Sequence, residues 1–375
     1  MNNKVCFLCL NVNPGGGNKV IFELSNQIKI SKEYDYEIIT IQSQKLEDLS
    51  YSFSKINDLK TICLGLKGVS TLKLIYNLII TFLHITIYAK RYNTIIINSP
   101  LLAPIFGFIP RKNIYNYIQA DDYKIFDTKF SNPKSLLLNI YKWATKRISY
   151  QIYEDRYIFN SQYIYEQFKL ISKRDISKVN LIIPGIDVDI FKTSSINRKS
   201  DKIVVSSILR KQPWKGSADF FKAVNELPLE LSSRCVFVGI TNEDISSLGE
   251  SNNISIERPN SDQELATLLQ KTDIFIVTSH WEGFGLPGLE SMACGCTLIS
   301  TQNGGCNEYA IDEVNCILYQ SRNYGQLSAI LTKLIPNNTL RKEICMESTK
   351  VAKEFSWEVT FLQLKSLLES NHVHY

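Results

Sequence analysis

Glycine, proline and histidine are scarce in this chain. Its 375 residues include 17 glycines, 11 prolines and four histidines, which excludes collagen-like and low-complexity proteins. Charged residues make up 21% and hydrophobic residues 44%, so the composition also excludes a disordered or coiled-coil chain and leaves material for a sizeable core. At roughly 100–200 residues per domain, this length predicts two domains.

The nine cysteines lack the even count and the spacing of a disulfide framework, which argues against a secreted disulfide scaffold. Cys6 and Cys9 have CxxC spacing, but they lie in an apolar run that predicts a strand. Side chains three positions apart in a strand point to opposite faces, so this pair cannot hold one metal ion. No Cys/His zinc cluster is visible elsewhere, and we predict no metal site.

No secretory signal peptide is expected, because the N-terminal apolar stretch is short and carries one lysine. Residues 72–89 approach the length of a membrane span, but polar side chains interrupt them. These are Lys73, Asn77, Thr81 and His84. The pattern predicts a helix packed beneath a sheet, and the alternative is a helix lying on a membrane surface.

Charge is unevenly distributed. Residues 1–190 contain 24 Lys and Arg against 16 Asp and Glu, whereas the remainder contains 18 against 21. A basic first half could meet an anionic surface or an anionic substrate. The alternative is a chance excess of lysine in a chain rich in Lys, Ile and Asn.

The first half alternates short apolar runs with helix-like stretches, the pattern of a parallel α/β sheet. The predicted helix after the first strand covers Lys19–Ile30. The predicted strands are Lys4–Leu10, Tyr36–Ile41, Thr61–Leu64, Thr94–Asn98, Asn113–Ile118, Arg156–Phe159 and Val179–Ile183.

A polar linker at 187–200 precedes a second alternation. Its predicted strands are Lys202–Ser207, Cys235–Gly239, Ile254–Glu257, Asp273–Thr278 and Cys296–Ser300. Its predicted helices are Ser217–Asn225, Ser261–Gln270, Leu286–Cys294 and Tyr324–Ile335. We therefore predict two doubly wound Rossmann-like α/β domains, at 1–190 and 191–356, facing one another across a cleft. A last helix within 357–375 is expected to pack back on the first domain, and ligands should bind beyond the carboxyl ends of strands.

The strongest motif follows the strand that ends at Thr278. It places Glu282 before a Gly-Phe-Gly turn, and Leu286-Pro287 then opens a helix that carries Glu290. Proline in the first helical turn sacrifices no hydrogen bond, and the free N–H groups of a helix start suit a phosphate. The two carboxylates cannot bind phosphate but can accept hydrogen bonds from sugar hydroxyls. The alternative is a structural turn with two solvated glutamates.

This segment, EGFGLPGLE followed by MACGC, resembles the donor-site motif of glycosyltransferase family 4, whose members are retaining enzymes of the GT-B fold. The resemblance implies that Glu282 contacts the transferred sugar and Glu290 the ribose of a nucleotide-diphosphate sugar. It also implies that the amides of Phe284, Gly285 and Leu286 meet the donor's sugar or phosphates. The nucleotide sugar is a substrate, and no resident cofactor is expected.

A second segment, SILRKQPWKG at 207–216, resembles the family's "GR…KG" segment. The resemblance implies that Arg210 and Lys215 hold the donor diphosphate. Fixed cations there stabilise the charge that the leaving group gains and can replace a metal ion, and no DxD motif is visible between strands. Leu209 stands where the family has glycine, and the alternative is that both cations are ordinary surface residues.

Further segments resemble other family features. IIPGIDVDIF at 182–191 is similar to the junction between domains, and DRYIFNS at 155–161 to the strand before it. GGCNE at 304–308 is similar to a loop after a strand, and FSW at 355–357 to the start of the last helix.

The loop NPGGGNK at 13–19 is similar to the family's Gly-Gly turn, in which Gly16 and Gly17 would face the donor phosphates and the acceptor. It is not a GxGxxG fingerprint, and the alternative is a turn without ligand contact.

On the acceptor side, many relatives carry a histidine after a middle strand, where this chain has YNYIQADD at 115–122. Asp121 or Asp122 could orient the acceptor hydroxyl or act as its base. The alternative is a helix N-cap or a salt bridge. With the Gly-Gly-Gly loop, this arrangement resembles a subgroup acting on bacterial surface polysaccharides.

Together the motifs predict a retaining, metal-independent hexosyltransferase. The expected acceptor is a glycan or lipid-linked glycan of O-antigen or capsule synthesis, in the cytoplasm, with possible peripheral contact with the inner membrane and no nucleic-acid partner. An NAD-dependent dehydrogenase would need a dinucleotide fingerprint, which is missing. A nucleotide-sugar epimerase and a catalytically silent glycan-binding protein of the same fold stay open as alternatives.

Overall fold

The chain divides into two compact units in a computed structural model. The described residues are 3–13, 15–42, 59–66, 70–121, 124, 139–140, 143–194, 202–245 and 253–372. Unit 1 comprises Met1–Pro184 and Trp357–Tyr375, and unit 2 comprises Gly185–Ser356. The division falls at the Pro184–Gly185 bond, inside the junction motif and before the predicted boundary at 190. The predicted linker lies partly outside the described residues.

Unit 1 contains a seven-stranded parallel sheet in the order β3-β2-β1-β4-β5-β6-β7. Its strands are β1 (Lys4–Cys9), β2 (Asp35–Thr40), β3 (Thr61–Cys63), β4 (Thr94–Asn98), β5 (Ile114–Ile118), β6 (Tyr157–Phe159) and β7 (Asn180–Leu181). Each matches a predicted strand, because continuous apolar runs mark strands that are buried on both faces. The order reverses between β1 and β4.

Among its described residues, unit 1 before its C-terminal segment contains α1 (Gly16–Ser31), α2 (Thr71–Tyr88), α3 (Ala103–Phe106) and α4 (Gln162–Ser172). Helix α4 was absent from the sequence prediction, although Ser161 supplies a regular N-cap by accepting a hydrogen bond from the Ile164 amide at 3.2 Å. Helix α1 begins three residues before the predicted start at Lys19. Gly16 and Gly17 are therefore helical, and the prediction of a turn there is wrong.

The core of unit 1 lies on both faces of its sheet. Cys9 belongs to the cluster on one face and Cys6 to the cluster on the other, which confirms that the CxxC pair points in opposite directions. Burial raises the pKa of the Cys9 thiol to about 12 and that of Cys6 well above its usual value. Both side chains are thus neutral core residues.

Unit 2 contains a six-stranded parallel sheet in the order β10-β9-β8-β11-β12-β13. Its strands are β8 (Ile203–Ile208), β9 (Cys235–Ile240), β10 (Ile254–Glu257), β11 (Ile274–Val277), β12 (Thr297–Thr301) and β13 (Ile317–Tyr319). This is the strand order of a dinucleotide-binding Rossmann sheet, which reverses between β8 and β11. Strand β13 was not predicted, because its three residues carry too short a pattern.

In the described part of unit 2 the α-helices are α5 (Ser217–Asn225), α6 (Leu229–Ser232), α7 (Asp262–Gln270), α8 (Leu286–Ala293), α9 (Tyr324–Leu334) and α10 (Asn338–Ala352). Ser261, Asn323 and Asn337 cap α7, α9 and α10 by accepting backbone N–H groups. The predicted helices are thus present, whereas α6 and α10 were missed. The doubly wound α/β class is confirmed in both units.

The C-terminal helix α11 (Trp357–His372) belongs to unit 1 and packs against α1. Its buried side chains join the core cluster of that helix. The Thr360 hydroxyl donates to the Ile183 carbonyl at 2.8 Å, and the Gln363 side chain accepts from the Ile183 amide at 2.7 Å. These contacts tie α11 to the chain segment that leaves β7.

Helix α2 packs on the sheet, as the sequence predicted, but less of it is buried than in a core helix. Together with the turn at Ala89–Arg91, it is long and apolar enough to cross a membrane, and no other helix among the described residues meets that test. Only 22% of its most apolar stretch is buried. One face packs on the sheet and the other is exposed.

Leu364→Ala should lower the free energy of unfolding by about 2–5 kcal/mol, since Leu364 is fully buried in α11 and the substitution leaves a cavity. The measurement is the midpoint of urea-induced unfolding. Leu362→Ala is the matched control, because Leu362 lies on the same helix and is 61% exposed; its effect should stay within about 0.5 kcal/mol. Equal effects of the two substitutions would contradict the packing of α11.

Candidate functional site

The reversal of strand order in unit 2 defines the candidate site. Connections from β8 and β11 lead to opposite sides of the sheet, so their carboxyl ends border a crevice. The segment after β8 runs from Leu209 to Gly216, and the segment after β11 runs from Thr278 to Gly285. These segments carry Arg210, Lys215 and Glu282, as the sequence predicted.

The segment after β8 is held by the side chain of Ser217, the first residue of α5. The Ser217 hydroxyl donates to the Arg210 carbonyl at 2.9 Å and accepts from the Arg210 amide at 2.8 Å. The Arg210 guanidinium lies 3.5 Å from the Glu243 carboxylate. Arg210 therefore stands at the predicted edge, paired with an acid that the sequence analysis did not single out.

Lys215 and Glu282 meet. The Lys215 ammonium donates to Glu282 Oε1 at 2.6 Å, and both side chains are mostly buried. An ammonium has three donors, so Lys215 retains two N–H groups for other acceptors. The structure brings these two predicted residues into direct contact.

Backbone contacts join the two segments. The Thr278 hydroxyl donates to the Lys215 carbonyl at 2.8 Å, and the His280 amide donates to the Trp214 carbonyl at 2.7 Å. Gly216 has φ +63°, and a Cβ there would lie 2.1 Å from the Thr278 carbonyl oxygen. Only glycine lets the segments approach this closely.

Helix α8 starts beside Glu282. Gly285 precedes it with φ +91°, and Pro287 lies in its first turn. The Tyr309 hydroxyl donates to the Gly285 carbonyl at 2.7 Å. Burial raises the pKa of Tyr309 well above its usual value, so the hydroxyl remains a donor. Tyr309 thus fixes the conformation of the turn, and with it the orientation of the backbone N–H groups of Phe284, Gly285 and Leu286 at the start of α8.

The turn after β12 packs against the loop that contains Glu282 and Phe284. A Cβ at Gly305 would lie 2.6 Å from the Phe284 amide nitrogen, and the Glu282 amide donates to the Asn303 carbonyl at 3.0 Å. The rings of Phe284, Tyr309 and Phe355 pack together at 5.5–6.3 Å. The Gly-Gly and Phe-Ser-Trp segments therefore contribute packing to the glutamate loop.

Glu290 lies in the second turn of α8 and is 4% exposed. The interpretation of two solvated glutamates is wrong on this point, since Glu282 is also mostly buried. A buried carboxylate requires partners, and its place among the buried side chains of α8 gives it a defined position.

His280 is a site residue that sequence reasoning missed. Its Nε2 lies 3.3 Å from Asp219 Oδ2, and its Nδ1 accepts from Arg322 Nε at 3.2 Å. A guanidinium only donates, so Nε2 carries the proton and faces the carboxylate. His280 lies three residues after β11, and this position beyond the end of a strand could have identified it from the sequence. Its partners Asp219 and Arg322 come from distant segments.

In unit 1, Gly17 lies near the reversal between β1 and β4. The Gln119 side chain donates to the Gly17 carbonyl at 3.0 Å and also to the Asn98 side chain. Asn18 donates to the carbonyls of Asn11 and Asn13, which ties the loop to α1. No atom of the described residues lies within 4 Å of a Cβ built at Gly16.

Asp121 is 3% exposed and engaged at both oxygens. Oδ2 lies 3.1 Å from the Lys124 ammonium, and Oδ1 accepts from the Lys124 amide at 3.2 Å. This is the arrangement expected of the structural alternative, a capping carboxylate in a salt bridge. Asp122 lies outside the described residues.

Comparison with known proteins finds sequence similarity mainly in unit 2. Residues 188–351 match the family model described as glycosyl transferases group 1. The D-inositol 3-phosphate glycosyltransferase of Mycolicibacterium smegmatis is 24% identical over 221 residues, which cover 55% of this chain and 50% of that protein. The chain spans between 30% and 50% of the length of the first curated relatives that it matches.

Solved structures of glycosyltransferases show the same fold over the whole chain. Sucrose-phosphate synthase from Thermosynechococcus elongatus has a TM-score of 0.81 at 16% identity and covers all of both chains. Anabaena HepE in complex with UDP-glucose has a TM-score of 0.75 at 18% identity and covers 98% of this chain and 99% of its own. The fold prediction, GT-B with two Rossmann-like domains, is thereby confirmed, and residues 188–351 are similar in sequence to the glycosyl transferases group 1 family.

Proposed function

We propose that the chain is a retaining glycosyltransferase of family 4 that moves a sugar from a nucleotide-diphosphate donor to an acceptor hydroxyl. The observation that carries the proposal is the Lys215–Glu282 pair at 2.6 Å, at the strand reversal of unit 2 and beside the start of α8. A cation, an acid and free helix amides at one edge suit a substrate with both phosphates and hydroxyls.

In this proposal Lys215 has two tasks. One of its N–H groups holds Glu282 in place to accept hydrogen bonds from the sugar hydroxyls. Its remaining N–H groups, with Arg210 and the amides of Phe284 and Gly285, face the diphosphate. Because these charges are fixed in a largely buried site, they stabilise the leaving phosphate without a metal ion as the glycosidic bond breaks.

The transfer step needs no separate base. The acceptor oxygen approaches the anomeric carbon on the face from which the diphosphate leaves, so the new bond forms with retention. The departing phosphate oxygen takes the acceptor proton. In this proposal Asp121, which Lys124 contacts at both carboxylate oxygens, takes the structural role.

We further propose a glycan or lipid-linked glycan of bacterial surface polysaccharide synthesis as the acceptor. Its support is the Tyr-x-Tyr-Ile-Gln-x-Asp segment at 115–121 with the Gly-Gly-Gly loop. We place the reaction in the cytoplasm, with peripheral contact at the inner membrane, because the first half of the chain is basic.

The test of this function is thermal-shift screening of the purified chain against UDP, GDP, dTDP and ADP, followed by sugar derivatives of the nucleotide that stabilises it. UDP is tested first, since the similar HepE structure holds UDP-glucose. Transfer to an acceptor supports the proposal. Binding without turnover would favour a silent glycan-binding protein, and free sugar released without acceptor would favour an epimerase.

Lys215→Met should lower kcat by about 10²–10³, because it removes a fixed charge from the leaving group. Lys211→Met is the matched control, since Lys211 lies in the same loop, its side chain is half exposed and its ammonium lies 3.9 Å from the Asp244 carboxylate. Steady-state transfer kinetics provide the readout. A wild-type rate in Lys215→Met would exclude this residue from the reaction.

Glu290→Gln should weaken nucleotide binding by about 10- to 150-fold, because a hydrogen bond to a charged group contributes about 1.5–3 kcal/mol. Isothermal titration calorimetry measures the effect. Glu343→Gln on the exposed face of α10 is the control and should bind as the wild type does. Unchanged affinity of Glu290→Gln would contradict the ribose role.

Gly216→Ala should lower both stability and donor affinity, because a left-handed conformation costs a non-glycine residue about 1–2 kcal/mol and the added Cβ meets the Thr278 carbonyl. Gly325→Ala in α9, where the nearest atom to a Cβ lies at 3.8 Å, should instead stabilise by about 0.4–1 kcal/mol. Thermal unfolding with and without nucleotide distinguishes them. A Gly216→Ala protein as stable as the wild type would refute the close approach of the two loops.

A further inference from the structure

Helix α2 exposes its most apolar side chains. Exposed fractions run from 47% at Tyr76 to 81% at Leu72. The set consists of Leu72, Ile75, Tyr76, Ile79, Leu83 and Ile87. Spacings of three and four residues put all six on one side of a helix. We call this set the α2 stripe.

The opposite side of α2 is buried and partly polar. Asn77 is 1% exposed and Thr81 is fully buried, ahead of Ile85 and Ala89 on the same face. The Asn77 side chain donates to the carbonyls of Ile41 and Leu66 and accepts from the Leu66 amide. These three hydrogen bonds fix the rotation of the helix, so the outward direction of the stripe is set by the fold. Apolar side chains therefore occupy both sides of α2, and two polar side chains lie among the buried ones.

Crossing a bilayer is incompatible with these contacts. Leu74, Leu78 and Phe82 pack on the core cluster that contains Ile85 and Ala89. Strand β4, in the middle of the sheet, begins only five residues after Ala89. Insertion of α2 across a membrane would strip this core, so the helix can only lie along a surface.

The charge around the stripe is of one sign. Residues 59–120 contain seven Lys and Arg and no Asp or Glu. Among them, Lys73 lies in the first turn of α2, and Lys90 and Arg91 follow its end in exposed positions. Cations at both ends of an apolar stripe match the headgroups and the acyl boundary of an anionic bilayer.

A second element extends the apolar surface. Helix α3 packs on α2 through Phe106, whose ring centroid lies 5.9 Å from that of Phe82. It exposes 36% of Ile105, and Phe108 just after it is 64% exposed. Arg111 and Lys112 follow within four residues, which repeats the combination of apolar and basic side chains.

We propose that the α2 stripe is the surface by which this chain docks on an anionic lipid bilayer, with α2 parallel to the membrane. The apolar side chains enter the acyl boundary while Lys73, Lys90 and Arg91 contact the anionic headgroups. The proposal gives a location to the peripheral contact in the proposed function and rests on that contact, but it requires no sugar transfer.

The experiment is co-sedimentation of the full chain with vesicles of phosphatidylcholine alone or mixed with phosphatidylglycerol, in the absence of donor and acceptor. The wild type should sediment with the mixed vesicles and much less with phosphatidylcholine alone. The double variant Ile79→Ser with Leu83→Ser should lose at least about tenfold in binding, because two large aliphatic side chains no longer enter the bilayer. Lys90→Gln with Arg91→Gln should weaken binding to the mixed vesicles and reduce its salt dependence.

The matched control is Leu170→Ser with Leu362→Ser, which removes two leucines that are 71% and 61% exposed on other helices of unit 1. It should bind vesicles as the wild type does. All variants should keep the wild-type thermal midpoint, because every replaced side chain is exposed. A midpoint lowered only in the stripe variant would mean that the stripe packs against the protein, which would overturn the proposal.

Failure of the wild type to bind mixed vesicles, or equal binding by the stripe variant, would also overturn the proposal. So would a wild-type dimer that becomes monomeric in the stripe variant, because the stripe would then join two copies of this chain. Since donor and acceptor are omitted, these outcomes leave the transferase proposal untouched. Conversely, vesicle binding by an inactive chain would refute transfer alone.

Discussion

The contact between the Lys215 ammonium and the Glu282 carboxylate is the interaction on which the candidate site depends. It joins two segments that are 67 residues apart in sequence and lie next to each other only because β8 and β11 are neighbours at the reversal of the sheet. Each further contact between them, from Thr278 to Lys215 and from His280 to Trp214, maintains that juxtaposition. An acid and a cation held this way can share a substrate that presents hydroxyls and phosphates together.

Much of this arrangement could be predicted from the sequence, because it is written in local patterns. Buried parallel strands are continuous apolar runs, and Pro287 after a Gly-Phe-Gly turn marks the start of α8. Strand β13 and helix α10 were not predicted. Three residues are too few to show a periodic apolar pattern, and the pattern is weak in a mostly polar surface helix. The start of α1 at Gly16 was not predicted, because glycine is a poor helix former. In the fold, hydrogen bonds of Asn18 and Gln119 stabilise this first turn.

The sites that the sequence could not settle depend on tertiary partners. Asp121 was an even choice between an acceptor role and a structural role, and the contact with Lys124 is only visible once the chain is folded. Glu243 beside Arg210 and Arg322 beside His280 come from other loops. Tyr309 is the clearest case, because a buried tyrosine after β12 gives no sign in sequence that its hydroxyl holds the turn before α8.

The hydrogen bonds of the Asn77 amide mean that the exposed apolar face of α2 is not the face that holds the helix in the fold. In an ordinary helix, changes to the apolar face alter folding, and the polar face is free to vary. Here three hydrogen bonds of Asn77 hold the inward side. The outward apolar side chains are therefore not needed for folding. Substitutions on the outward side, whether natural or engineered, can therefore raise or lower the affinity of α2 for a binding surface without changing the fold of unit 1.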